Sequence, residues 1–109
     1  MVGIFSLGGV PNMRQAIQGI PYDTQTLSPL HLWHNYCPPD HPQYQRYIVY
    51  RAAVDFYVVW VKTGSRRGGL NQLIGLSRVQ LDTLYQSTVR QDRRRSLARV
   101  VAPWLSPTA

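Results

Sequence analysis

The segment from Tyr47 to Val61 constrains the fold most, because it is almost entirely apolar and only Arg51 and Asp55 interrupt it. On a wheel with 3.6 residues per turn, these two residues and Lys62 fall on one narrow stripe. We therefore predict a helix over about 41–63. Such a thin polar face must be covered on most sides, either as the central core helix of this domain or as an interface with another subunit.

Helix-boundary signals elsewhere predict an all-α protein, a small bundle of four to five helices with an extended N-terminal arm and a short C-terminal tail. Residues 1–27 mix Gly, Pro and Thr without a sustained period, and we interpret them as the arm; residues 28–109 form the single helical domain. The predicted helices and their capping residues are 29–36 after Ser28, 41–63 after Asp40, 70–74, 78–90 after Ser77, and 93–102 after Asp92.

The charge of the chain is strongly one-sided. Its 109 residues carry a formal charge of +7, with eleven arginines and the single Lys62 against five aspartates and no glutamate. Nine of the twelve basic residues lie between Lys62 and Arg99. Arginine presents a planar, permanently charged fork that suits phosphates, so the composition favours a polyanionic partner. Genome-wide drift from lysine to arginine and an acidic neighbouring subunit are the alternatives.

Residues 70–84 (LNQLIGLSRVQLDTL) carry the most specific local pattern. Gly75, Leu76 and Ser77 follow one another as turn glycine, apolar residue and helix cap, and apolar residues flank them at helix-packing spacing. This segment resembles the helix-turn-helix motif of DNA-binding domains. The resemblance implies that helix 78–90 lies in the major groove. The residues near base edges would then be Arg78, Gln80, Asp82 and Thr83.

A second basic group follows this segment. If Asp92 caps the last helix, three arginines occupy a first helical turn, where the macrodipole disfavours positive charge, and a bound phosphate would offset that cost. The predicted phosphate contacts are Arg66, Arg67, Arg90, Arg93, Arg94, Arg95 and Arg99. They would supply affinity without reading sequence. The alternative is a solvated basic face.

The stretch HLWHNYCPPDH could place three imidazoles and one thiolate around a zinc ion, from His31, His34, Cys37 and His41. Structural zinc sites more often join two ligand pairs across a longer loop. We therefore favour half-buried or interface side chains here, and predict no metal.

Nothing in the sequence indicates catalysis. There is no glutamate, no close pair of carboxylates, no glycine-rich phosphate loop with a lysine and no serine in a nucleophile elbow. We therefore expect no enzyme activity, no cofactor and no small-molecule substrate.

Lone Cys37 excludes an internal disulfide. The N-terminus lacks the pattern of a signal peptide, and the apolar run is shorter than the roughly 20 residues of a spanning helix. Membrane association stays open, and the compartment is undetermined.

Two functional hypotheses follow. The first is a basic, non-enzymatic protein that binds nucleic acid through its arginine cluster and the helix-turn-helix. The second is a structural assembly subunit, such as a viral coat or connector component or an accessory subunit of a larger complex. In either case we expect a homo-oligomer or a subunit of a larger assembly.

Overall fold

A computed structural model describes residues 12–64, 69–89 and 96–105. It contradicts the predicted all-α bundle, because two antiparallel sheets and only two short helices make up these residues. The strands are β1 Arg14–Ile17, β2 Ile20–Asp23, β3 Ser28–His34, β4 Gln45–Ala53, β5 Phe56–Thr63 and β6 Asn71–Leu76. The helices are α1 Arg78–Val89 and α2 Leu97–Val101, and short 3-10 turns occupy Thr24–Thr26 and Ala102–Trp104.

The larger sheet is an antiparallel meander in the order β3-β4-β5-β6, and β1 and β2 form a separate hairpin. Three predicted helices are therefore wrong: 29–36 falls on β3, 41–63 on β4 and β5, and 70–74 on β6. The helix-turn-helix interpretation is wrong for the same reason. Its first helix is a strand, and β6 leads through Ser77 directly into α1.

The apolar run forms the two central strands, and both faces of these strands are covered. Tyr47 and Val61 face one core with the two helices, whereas Ile48 and Trp60 face a second core with the hairpin. Side chains alternate between the faces of a strand, so a strand buried on both sides reads as continuously apolar. β-branched and aromatic residues dominate both segments and favour strand. Asp55, with φ of 57°, makes the tight turn between them.

The β1-β2 hairpin packs on one face of the sheet, at the β6 edge. The side-chain amide of Gln15 donates to the Leu73 carbonyl (2.8 Å) and accepts from the Leu73 N–H (2.9 Å), as a neighbouring strand would. Ile17 is buried in the same core. Residues 12–27, predicted as part of an arm, therefore contribute to the packing of the sheet.

The two helices cover the opposite face. Ser77 caps α1, as predicted, and exchanges hydrogen bonds with Gln80 in a capping box. The last helix begins at Leu97 after Ser96, whose hydroxyl accepts the Arg99 N–H, whereas the predicted cap Asp92 lies outside the described residues. In the described ranges, neither helix has the length and apolar composition to cross a bilayer.

Candidate nucleic-acid interface

Three basic side chains and one amide lie side by side across the larger sheet. They are on the face that packs against the β1-β2 hairpin, at the end of the sheet that the hairpin leaves open. His34 lies opposite Arg46, Arg46 opposite Lys62, and Lys62 opposite Asn71. Residues that are directly opposite in an antiparallel sheet share a face. We call His34, Arg46 and Lys62 the cationic row; Arg46 and Lys62 carry its permanent positive charges, and His34, whose Nδ1 accepts a hydrogen bond, is its polar end. His34 is exposed, and the other two are half-buried.

On the same face of the sheet, the cross-strand positions next to the cationic row are hydrophobic. Ile48 and Trp60 occupy the preceding cross-strand positions on the same face and are buried, at 3% and 4% exposure. Leu32, their neighbour on β3, is 37% exposed. The hairpin thus covers the face over β4, β5 and β6 but leaves its β3 side open beside the cationic row.

Within the described residues, the charges of Arg46 and Lys62 have no ion-pair partner. Ion pairs among the described residues join Arg14 to Asp23 (2.9 Å) and Arg78 to Asp82 (3.5 Å), and none of them involves Arg46 or Lys62. Like charges directly opposite on neighbouring strands destabilise a sheet by about 0.2–1 kcal/mol. An anion bound over the row would remove this repulsion.

Arg46 is held in place by stacking, and part of its hydrogen-bonding capacity is unused. Its guanidinium carbon lies 4.5 Å from the Trp60 ring centroid, and the Trp60 indole N–H donates to Asn71 Oδ1 (2.8 Å). Arg46 Nε and Nη2 are enclosed and have no hydrogen-bond partner in the described part of the chain. Each buried, unpaired N–H group costs about 1–3 kcal/mol. The guanidinium is thus oriented but still lacks an acceptor.

The positive charge of Arg46 also acts on Tyr50, which lies on the same face of β4. Burial raises the pKa of the Tyr50 hydroxyl, and the nearby Arg46 charge partly opposes that rise. The Tyr47 hydroxyl, on the helix side, has its pKa raised to about 12 by burial, although its 2.9 Å hydrogen bond with Thr88 lowers it. Both hydroxyls are therefore neutral at physiological pH.

The loop after β3 is tied down beside the row. Asn35 Oδ1 accepts the Gln45 N–H (3.0 Å) and the Cys37 N–H (3.4 Å), and Asn35 Nδ2 donates to the Gln43 carbonyl (2.7 Å). His34 Nδ1 accepts the Tyr36 N–H at 3.1 Å. The structure thus fixes where the chain leaves the sheet, right at the cationic row.

The site residues predicted from the sequence do not gather at this row. Gln80 is used in the α1 cap, the Thr83 hydroxyl donates to the Val79 carbonyl, and Arg78 pairs with Asp82. The helix-turn-helix that would present these residues of α1 to base edges is absent from the described fold, and their contact with nucleic acid stays a prediction. Arg99 is exposed on α2. The other predicted phosphate contacts stay a prediction, because Arg66, Arg67, Arg90, Arg93, Arg94 and Arg95 lie outside the described residues.

The residues considered for zinc are also separated. His31 packs against the rings of Tyr47 (6.2 Å between centroids) and Tyr85 (5.3 Å), on the helix side of the sheet. His34 lies on the opposite face, in the cationic row. No group of three or more potential ligands assembles within the ranges that the structure covers.

Sequence reasoning missed Arg46, Trp60 and Tyr36. In one helix the first two would lie 14 residues, or roughly 21 Å, apart along the axis, whereas strand pairing places them side by side on one face. The signal that could have found them is the density of Val, Ile, Tyr and Trp from 47 to 61, which is typical of strands.

Comparison with protein-family models, curated proteins and solved structures gave no match to this chain. A function therefore has to be inferred from its own side chains.

Proposed function

We propose that this protein acts by binding nucleic acid, and that the cationic row contacts the phosphate backbone. The observation that carries the proposal is the arrangement of the row itself: the Arg46 guanidinium is stacked on Trp60 and lies directly opposite Lys62, and neither charge has an ion-pair partner among the described residues. Phosphate oxygens are strong acceptors for an arginine fork, and charge-assisted hydrogen bonds are about twice as strong as neutral ones.

The geometry suits a chain of phosphates better than a single small anion. Neighbouring strands lie about 4.8 Å apart, so the row extends over roughly 10 Å from His34 to Lys62. It lies at the open end of the face and not in a closed pocket, since His34 at one end and Asn71, just beyond Lys62 at the other, are both exposed. The formal charge of +7 adds long-range attraction for any polyanion.

Binding across a salt series tests the proposal. Fluorescence anisotropy with labelled random-sequence oligonucleotides should give an affinity that falls steeply with salt, because each phosphate contact releases counterions. Replacing one contact should reduce the slope of log K against log salt by about 0.7–0.9. We therefore expect Lys62→Gln to flatten the slope by that amount.

Arg51→Gln is the matched control. Arg51 lies on β4 as Arg46 does, but five residues along and therefore on the other face, and it is exposed. Both variants lose one positive charge, so a difference between them reports location and not net charge. No binding at low salt, or equal effects of the two variants, would contradict the proposal.

Assembly is a second candidate function, and the outer edge of β3 favours it. β3 is an edge of the sheet within the described ranges, and Leu30 (53%) and Leu32 (37%) are exposed on it. Unpaired strand edges are templates for pairing with another chain, although the irregularity between Pro29 and His31 interrupts this one. Analytical ultracentrifugation of wild type and Leu32→Lys tests the idea. A dimer that the substitution dissociates would support it, and a wild-type monomer at high concentration would refute it.

A further inference from the structure

We infer that the nucleic acid is single-stranded and that Tyr36 stacks on one of its bases. The inference rests on the proposed function, since it assigns a second contact to the strand that the cationic row binds. It begins from the exposure of Tyr36, which at 85% is the highest among the exposed large hydrophobic residues of the described chain.

The backbone of Tyr36 is in an unusual conformation. Its φ of 66° lies in the left-handed region, which bulky side chains rarely adopt, and such strained residues cluster at binding sites. The hydrogen bond from the Tyr36 N–H to His34 Nδ1 and the three bonds of the Asn35 side chain hold the loop in place. An exposed ring on a fixed backbone loses little conformational freedom on binding.

The ring lies next to the cationic row. The Tyr36 and His34 ring centroids are 4.8 Å apart, with the planes inclined at 68°. His34 is the first member of the row, one strand away from Arg46. A strand whose phosphates lie along the row therefore passes within reach of the Tyr36 ring.

This pairing of aromatic and cationic groups is the arrangement that binds single strands. Unpaired bases stack on aromatic side chains while a positive groove follows the backbone, and every base offers a face for stacking. In a duplex the bases are already stacked on one another, so Tyr36 would have no base face to contact. A single strand therefore gains from both features, and a duplex only from the charge.

The test compares three labelled probes by anisotropy at one low salt concentration. They are an oligothymidylate, an abasic deoxyribose-phosphate oligomer of equal length, and a duplex of random sequence. The variants are Tyr36→Asn, which removes the ring and tolerates the left-handed backbone, and Tyr36→Phe, which keeps the ring. Because Tyr36 is exposed and asparagine tolerates the left-handed backbone, neither variant should unfold at a lower urea midpoint than wild type.

We expect wild type to bind oligothymidylate about five- to 150-fold more tightly than the abasic oligomer, the range that stacking of one base supplies. Tyr36→Asn should lose this advantage, Tyr36→Phe should keep it, and neither should change binding of the abasic oligomer. Equal affinity for the two oligomers, with binding still weakened by Lys62→Gln, would overturn the stacking inference and leave the proposed function standing. No binding of any probe would overturn both.

Discussion

Replacing Arg46 with methionine should make the protein more stable while weakening its binding of nucleic acid. Methionine keeps an unbranched apolar stem over Trp60 but removes the guanidinium. The substitution eliminates two enclosed nitrogen atoms, Nε and Nη2, that lack partners in the described part of the chain, and the opposition of two positive charges across β4 and β5. What it loses is the stacking of the guanidinium on the indole, at 4.5 Å.

These terms set the expected magnitude. The two unpaired nitrogen donors cost about 1–3 kcal/mol each and the like-charge pair about 0.2–1 kcal/mol, whereas the cation–π contact contributes about 0.5–2 kcal/mol. The flexible Arg46 side chain can move and so relieve part of the cost of its unpaired nitrogen atoms. The net gain in stability should therefore lie in the lower half of the range that these terms allow. We expect the free energy of unfolding to rise by about 1–3 kcal/mol, which raises Tm by about 4 °C or more.

Urea unfolding followed by tryptophan fluorescence measures this change. Arg51→Met is the control, because it removes an exposed arginine from the other face of the same strand and should change stability by less than about 0.5 kcal/mol. If Arg46→Met is clearly less stable than wild type and than this control, the guanidinium already has its partners within the protein. The reasoning that assigns it to a ligand would then be refuted.

Three further substitutions test the packing and the ionisation of the fold. Gln15→Leu should lower the free energy of unfolding by about 2 kcal/mol in urea titrations, since it breaks two hydrogen bonds to Leu73; an unchanged value would mean that the hairpin docks by other contacts. Gly64→Ala should cost about 1–3 kcal/mol in the same assay, because the added methyl would press on the His41 carbonyl, and a neutral result would refute that close approach. Burial raises the pKa of the Tyr47 hydroxyl from 10 to about 12 in the folded protein. The free energy of unfolding should therefore keep its full value below pH 10 and fall by roughly 2 kcal/mol as pH rises through 12. Tyr47→Phe should flatten the pH dependence of urea unfolding in that interval, and an unaltered profile would contradict the assignment.

Local chemistry predicted one helix of this fold well. The Ser77 cap and the residues after it gave the start of α1 correctly, because a capping box is a contact between neighbours in sequence. The last helix was correct in position, but its start was not, since Ser96 and Asp92 are both acceptable caps and the structure uses Ser96.

The sheet could not be derived from hydrophobic periodicity. A strand that is buried on both faces has no alternation, and the run from Tyr47 to Val61 therefore fits a buried helix equally well. The hairpin that covers one face comes from residues 12–23, which show no marked pattern of their own. Tertiary packing against this hairpin decides the structure, and the sequence carries that information only across long separations.

The candidate site was missed for a related reason. Charge composition predicted an anionic partner, but the position of the row depends on strand register. His34, Arg46 and Lys62 are 12 and 16 residues apart in sequence and become neighbours only when the three strands pair. Helical geometry grouped Lys62 with Arg51 instead, which the structure places on the opposite face.

The most direct measurement of the central claim is the arginine Nε–Hε region of a proton–nitrogen NMR spectrum, recorded while oligothymidylate is added. The Arg46→Met variant lacks one of these resonances, and that missing resonance is assigned to Arg46. We expect this resonance to shift with the added oligonucleotide, because a phosphate binds beside the guanidinium. If the Arg46 resonance stays in place while those of other arginines move, nucleic acid binds elsewhere and the account is contradicted.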